Sequence, residues 1–198
     1  LKGYGYETRA FHPGERTSWQ RNIAYPRLGF DSFKCGEDMD VPQTEEHGYV
    51  SDDSDFEQII WEFEHKDEST PLFLFNVTIQ NHGSYTVEDY PAEVQVADEP
   101  GVYPKAEQYL TLANKTDEAF KKLIDYFSAQ TEPTILVMFG DHQPSVEQEF
   151  LDKAYGVTQD EMTMAQYMDK FKVPFIIWAN YPLTGDSTKI TSLNFLAQ

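Results

Sequence analysis

The chain has 198 residues, 40% apolar and 15% aromatic, enough for one domain that buries roughly 70% of its unfolded surface. Its 34 acidic residues against 15 basic ones leave a net charge of −19, which argues against a nucleic-acid partner and against adhesion to anionic lipid. A single cysteine excludes an internal disulfide framework, and no apolar run reaches the roughly 18 residues of a membrane span.

The first predicted strand is YETRAFH, residues 6–12, which ends on His12. Behind it ERTSWQRN (15–22) reads as a loop entering a helix and carries Arg16, Trp19 and Arg21. An arginine there can grip a phosphate or sulfate with two N–H groups, and the amides of a helix start add donors. Residues 31–53, rich in Asp, Glu and Gly, read as a surface loop holding Cys35.

A helix over 54–65 begins with a Ser or Asp cap and places Phe56, Ile59, Ile60 and Phe63 on one stripe. The second strand, PLFLFNVTI (71–79), is followed closely by His82. Residues 83–104, with Pro91, Pro100 and Pro104, read as another surface loop. The longest predicted helix covers 105–129, with Tyr109, Leu112, Ala113, Thr116, Phe120, Leu123 and Phe127 at spacings of three and four.

The third strand, TILVMFG (134–140), runs directly into Asp141 and His142. Helical patterns over 145–154 and 159–171 precede a last strand, VPFIIWAN (173–180). The last three strands are continuous apolar runs, as expected of strands covered on both faces. Strands alternating with helices give one α/β domain over 1–198, with a largely parallel central sheet flanked by helices.

In open α/β sheets ligands bind beyond the carboxyl ends of the strands. His12, His82 and His142 all follow strands, so parallel neighbours would bring three imidazoles to one edge. A plainer account exists for 140–144: Gly140 ends the strand, Asp141 caps a turn and Pro144 opens a helix at Ser145. His47 and His65 lie among acidic residues and are expected to be solvated. The chain has no Gly-rich phosphate loop, G-x-S-x-G elbow, H-E-x-x-H or paired cysteines.

Taken together, GYETRAFHPGERTSWQRNIAYPRLGFDSF (5–33), FNVTIQNHGSY (75–85), MFGDHQP (138–144) and VPFIIWAN resemble the lipoteichoic acid synthases. These belong to the sulfatase branch of the alkaline phosphatase superfamily. The combination FH-x(6)-W-x-R, NH and GDH carries the resemblance.

The resemblance implies that Asp141 and His142 bind one divalent cation, manganese first, with magnesium or zinc as alternatives. It implies that His12, Trp19, Arg21 and His82 line a glycerophosphate pocket. The implied substrate is a phosphatidylglycerol-type lipid, handled at the extracellular face of a bacterial membrane by a membrane-anchored parent. The family's threonine nucleophile and an acidic metal ligand are expected before Leu1. The chain then reads as the carboxyl-terminal part of the catalytic domain, incomplete on its amino-terminal side, inactive alone and prone to self-association.

Two departures stand out. Cys35 lies in CGEDM rather than in the C-x-P-x-R of formylglycine sulfatases, and Gly14 stands where the synthases often carry an acidic residue. A sulfatase or phosphodiesterase, or a non-catalytic binder of glycerophosphate polymer, are the rival expectations.

Overall fold

The computed structural model describes residues 1–88 and 90–185. At its centre β1 (Glu7–His12) is flanked by β2 (Ser32–Cys35) and β5 (Leu72–Asn76), all three parallel. The register sets Phe11 beside Lys34 and Asn76, and His12 beside Cys35. The carboxyl ends of the three strands therefore lie at one edge, with Ala10 and Phe11 buried beneath it.

Helix α1 (Arg21–Leu28) links β1 to β2. Its Tyr25 packs among Phe30, Phe33 and Phe75, and an aromatic cluster of this size supplies much of the burial energy of a sheet face. Helix α2 (Asp52–Glu64) starts at Ser51, whose hydroxyl accepts from the amide of Ser54. Asp52, Asp53 and Asp55 fill its first turn, where negative charge suits the helix dipole.

Helix α3 (Pro104–Ser128) has proline in its first turn and no cap of its own. Glu147 supplies one from a distance, accepting from the amides of Lys105 (2.8 Å) and Ala106 (3.0 Å). That bond ties the segment after β6 (Ile135–Phe139) to the start of α3.

The main core lies between α2 and α3, where Phe56, Ala119, Phe120, Leu123 and Phe127 meet. The stripes expected on both helices are thus the packed faces. Leu136, Met138 and Trp178 press onto this core from β6 and β7 (Phe175–Ala179).

Several expectations are corrected. Strands β6 and β7 pair antiparallel with each other and, among the described residues, not with the β2–β1–β5 sheet. Nor are they covered on both faces. Ile135, Val137 and Phe139 alternate outward and Ile177 lies opposite Val137, all of them exposed. A continuous apolar run records what a strand can bury, not what covers it.

The 31–53 stretch is more than a loop. It holds β2 and a small hairpin of β3 (Glu45–Glu46) and β4 (Tyr49–Val50), turned at Gly48, whose φ of 92° favours glycine. Cys35, expected on a surface loop, is fully buried. Short strands of mixed polarity carry almost no periodicity, and tertiary pairing decides them.

The helix expected at 145–154 is α4, Gln148–Tyr155, so Pro144 opens no helix at Ser145. The 159–171 pattern splits into a 3₁₀ turn, Gln159–Glu161, and α5, Met164–Asp169. Helix α5 is held by a capping box of Thr163 and Gln166.

Candidate anion and metal site

His12 closes β1 and is buried, 4% exposed. Its Nδ1 accepts from the amide of Gly14 at 2.8 Å, so the neutral ring carries its proton on Nε2. Burial, with the positive charge of Arg21 and then of His82, pushes this imidazole down to about 4. The ring is therefore neutral near pH 7 and stands within electrostatic reach of both groups.

The glycine at 14 has a structural reason. A Cβ there would lie 2.8 Å from Cε1 of His12 and 3.0 Å from Nδ1. Any side chain at this position would have to displace the ring.

Arg21 opens α1, and its Nη1 donates to the carbonyl of Glu15 at 3.2 Å. The chain reaches it through two left-handed residues, Trp19 (φ 56°) and Gln20 (φ 53°). Such backbone costs of order 1–3 kcal/mol per residue and persists where surrounding contacts impose it. It throws Trp19 outward to 84% exposure. Trp19 lines a shallow hollow with Gln20, Ile23, Ala24 and Arg27.

His82 lies on the turn after β5, exposed, with Nδ1 donating to the carbonyl of Gly83 at 2.7 Å. Tyr49 of the β3–β4 hairpin meets its ring edge-on at 5.8 Å. His47 is not solvated as expected: Nε2 bonds the carbonyl of Gln80 at 2.5 Å, and the ring stacks near Tyr85. His65 is exposed, as expected, and lies flat on Trp61. The sequence reading missed Tyr49, His47 and Tyr85 as a brace for this turn. Their only signal was three aromatic rings in segments of loop-like composition.

Asp141 and His142 follow β6 with exposed side chains, Nε2 of the histidine 3.5 Å from the carboxylate. Nδ1 of His142 donates to the carbonyl of Gln143 at 2.8 Å, which leaves Nε2 with a free lone pair. Together with Gln143, Tyr167, Lys170 and Phe171 the pair lines an open cleft of about 310 Å³. Tyr85, whose hydroxyl donates to the carbonyl of Asn81 beside His82, is pushed up to about 12 by burial, by Tyr109 and by the charge of Asp141. The structure thus couples His12 with Arg21 and His82, and Asp141 with His142, and sets Trp19 apart in its own hollow.

An imidazole and a carboxylate side by side suit a divalent cation in kind. In number they do not: among the described residues no three His, Cys, Asp or Glu side chains gather to hold one. Two donors are too few for an ion.

The depressed His12 imidazole predicts a pH effect. The unfolded ring takes up its proton near pH 6.5 and the folded ring near pH 4. Its stabilising contribution is therefore full above pH 6.5 and lost as pH falls to 4, roughly 3 kcal/mol in all. Asp52, raised to about 6, acts in the opposite sense and loses its contribution as pH rises from 3.8. In urea unfolding, the advantage of wild type over His12→Asn should be larger at pH 6.5 than at pH 4.5. Equal differences at the two values would contradict it.

A mixed α/β layer thus carries an imidazole at the end of β1, another on the turn after β5, and an arginine at the start of α1. The chain belongs to the sulfatase family, whose family model matches residues 1–198. Members of this superfamily generally use a divalent metal.

A protein of Rhizobium meliloti (strain 1021), assigned provisionally to cyclic beta-1,2-glucan modification, is 30% identical over 98% of this chain and 30% of its own length. The lipoteichoic acid synthase-like YvgJ of Bacillus subtilis (strain 168) is 26% identical over 89% of this chain and 28% of its own length. The Streptococcus pyogenes phosphoglycerol transferase GacH, solved with sn-glycerol-1-phosphate, superposes with a TM-score of 0.69 at 22% identity. It is matched over 89% of this chain and 44% of its own. The fold is that of the alkaline phosphatase superfamily. The chain spans about 30% of the length of these curated relatives.

Proposed function

We propose that this chain supplies the anion-binding half of a phosphoglycerol-transferase domain. What supports the proposal is that His12 closes β1 and His82 follows the neighbouring parallel β5, with the charges of Arg21 and His82 acting on the His12 ring. Arg21 offers a planar fork of N–H groups to phosphate oxygens, and His12, neutral and buried, offers Nε2–H. These groups bind the glycerophosphate unit and stabilise the charge that develops on phosphorus.

The donor is a phosphatidylglycerol-type lipid. A threonine of the whole protein, outside these residues, attacks the phosphodiester phosphorus. The P–O bond to diacylglycerol breaks, and the leaving oxygen takes up a proton. An acceptor hydroxyl then displaces the threonine and takes the glycerophosphate. Asp141 and His142 supply two ligands of a divalent cation, manganese before magnesium or zinc, and other residues of the whole protein complete the set. The setting is the outer face of a bacterial membrane. The open apolar face of β6–β7 favours association with the rest of the domain or with a second copy.

Whole protein and the 198-residue chain, incubated in parallel with phosphatidylglycerol vesicles and Mn²⁺, test this. Diacylglycerol should appear with the whole protein and not with the chain alone. Saturable, metal-dependent release by the chain alone would refute the assignment of the nucleophile. Release of free glycerophosphate in place of transfer would make the protein a phosphodiesterase.

A further inference from the structure

Asp52 and Asp55 begin α2, and both are fully buried. Among the described residues neither has a cationic partner: the charged group acting on Asp55 is Asp52, and the groups bonded to Asp52 are neutral. Burying a carboxyl without a counter-ion is costly. One oxygen on each, Oδ1 of Asp52 and Oδ2 of Asp55, has no hydrogen-bond partner among the described residues. Burial pushes Asp52 up to about 6 and Asp55 well above the carboxylate range. Nothing in the proposed reaction uses either group.

Their bonds all run to one place. Asn76, the last residue of β5, donates its side-chain amide to Asp55. The backbone amide of Asp52 donates to Oε1 of Gln80 at 2.9 Å. Oδ2 of Asp52 accepts from the hydroxyl of Thr116 at 2.6 Å, and Thr78 also donates to this carboxyl. Thr116 in turn accepts from the side-chain amides of Gln80 (3.1 Å) and Asn81 (2.8 Å). Four of the six residues from Asn76 to Asn81 are thus tied to α2 or to its partner α3. His82 is the next residue, and its amide bonds the carbonyl of Ile79 at 2.9 Å.

We infer that Asp52 and Asp55 are positioning residues: through Asn76, Thr78, Gln80 and Thr116 they clasp the turn that presents His82. The functional part of this inference rests on the role proposed for His82; the mechanical part does not. A buried network with every tie directed at one turn fixes a side chain that an exposed loop would leave mobile. Uncharged carboxyls suffice for the clasp, so Asp55→Asn keeps it whereas Asp52→Ala breaks it.

The test is amide hydrogen exchange at Val77 and His82, read against Ala119 and Leu123 in the core of α3, in wild type, Asp52→Ala and Asp55→Asn. Asp52→Ala should accelerate Val77 and His82 at least about tenfold more than the core amides, and Asp55→Asn should exchange as wild type does. If Asp52→Ala does not fold, Thr116→Val removes only the central hydroxyl and should give the same local pattern. Unchanged exchange at the turn, or equal acceleration of turn and core, would overturn the inference.

Titration with sn-glycerol-1-phosphate, followed on the His82 imidazole by NMR, separates the two claims. A wild-type His82 that never responds removes the proposed function and leaves the clasp standing. A responding His82 whose affinity falls in Asp52→Ala but not in Asp55→Asn supports both.

Discussion

Leu123→Ala is expected to cost about 3–5 kcal/mol of unfolding free energy. Leu123 is 3% exposed and touches the core of Phe56, Ala119, Phe120 and Phe127. Leu136, Met138 and Trp178 of the β6–β7 pair close the same core from the other side. The cavity left by alanine cannot be refilled by a short side-chain movement, because aromatic rings wall it and keep to few rotamers. This core is what joins β6–β7 to the helices, so the substitution should also loosen the Asp141–His142 segment. Urea unfolding measures the cost. A loss below about 1 kcal/mol would mean that the core collapses onto the gap and that the two sheets are held by something else.

Arg21→Ala is expected to weaken sn-glycerol-1-phosphate binding between about tenfold and a hundredfold, since hydrogen bonds from charged donors are worth roughly 1.5–3 kcal/mol. Stability should barely change. The side chain is half-buried at the surface, with one bond to the carbonyl of Glu15. A second effect follows from the same charge. Arg21 helps hold the His12 imidazole down, so its removal should let the His12 pKa rise from about 4 toward 6.5. NMR titration of the His12 ring reads this shift without any ligand present. An unmoved His12 would mean that the two groups are not neighbours, and the anion pocket would lose its most basic member.

Much of the framework was legible in the residues. The runs around β1, β5, β6 and β7 lie within a residue or three of their expected bounds, because long apolar segments between turn residues leave little choice. Likewise the stripes of α2 and α3 are the faces that pack. What stayed hidden depends on partners distant in sequence. Strand β2 is four residues of mixed polarity, made a strand by Ala10 and Phe11 of β1 alongside it. The antiparallel pairing of β6 with β7 has no local signal, since both parallel and antiparallel strands can be apolar throughout.

The site divides in the same way. That His12, His82, Asp141 and His142 lie at or just after strand ends, and Arg21 at a helix start, could be read from the apolar runs and the residues that end them. The left-handed turn that exposes Trp19 could not be read from TSWQR. Nor could the buried acids of SDDSD, which look like an ordinary negatively charged helix start. In the structure Asp53 does face outward, paired with Lys122, while Asp52 and Asp55 point inward to the His82 turn. Spacing separates the two faces, but only the fold says which face is buried.

The most direct test of the anion site follows the five histidine Cε1 protons while wild-type protein is titrated with sn-glycerol-1-phosphate. His12 and His82 should shift together along one saturable curve, because a phosphate held by Arg21 lies against both. His65, stacked on Trp61 and bonded to its own helix, should not move. Shifts that never saturate, or a His65 response as large as that of His82, would contradict a glycerophosphate site at the ends of β1 and β5.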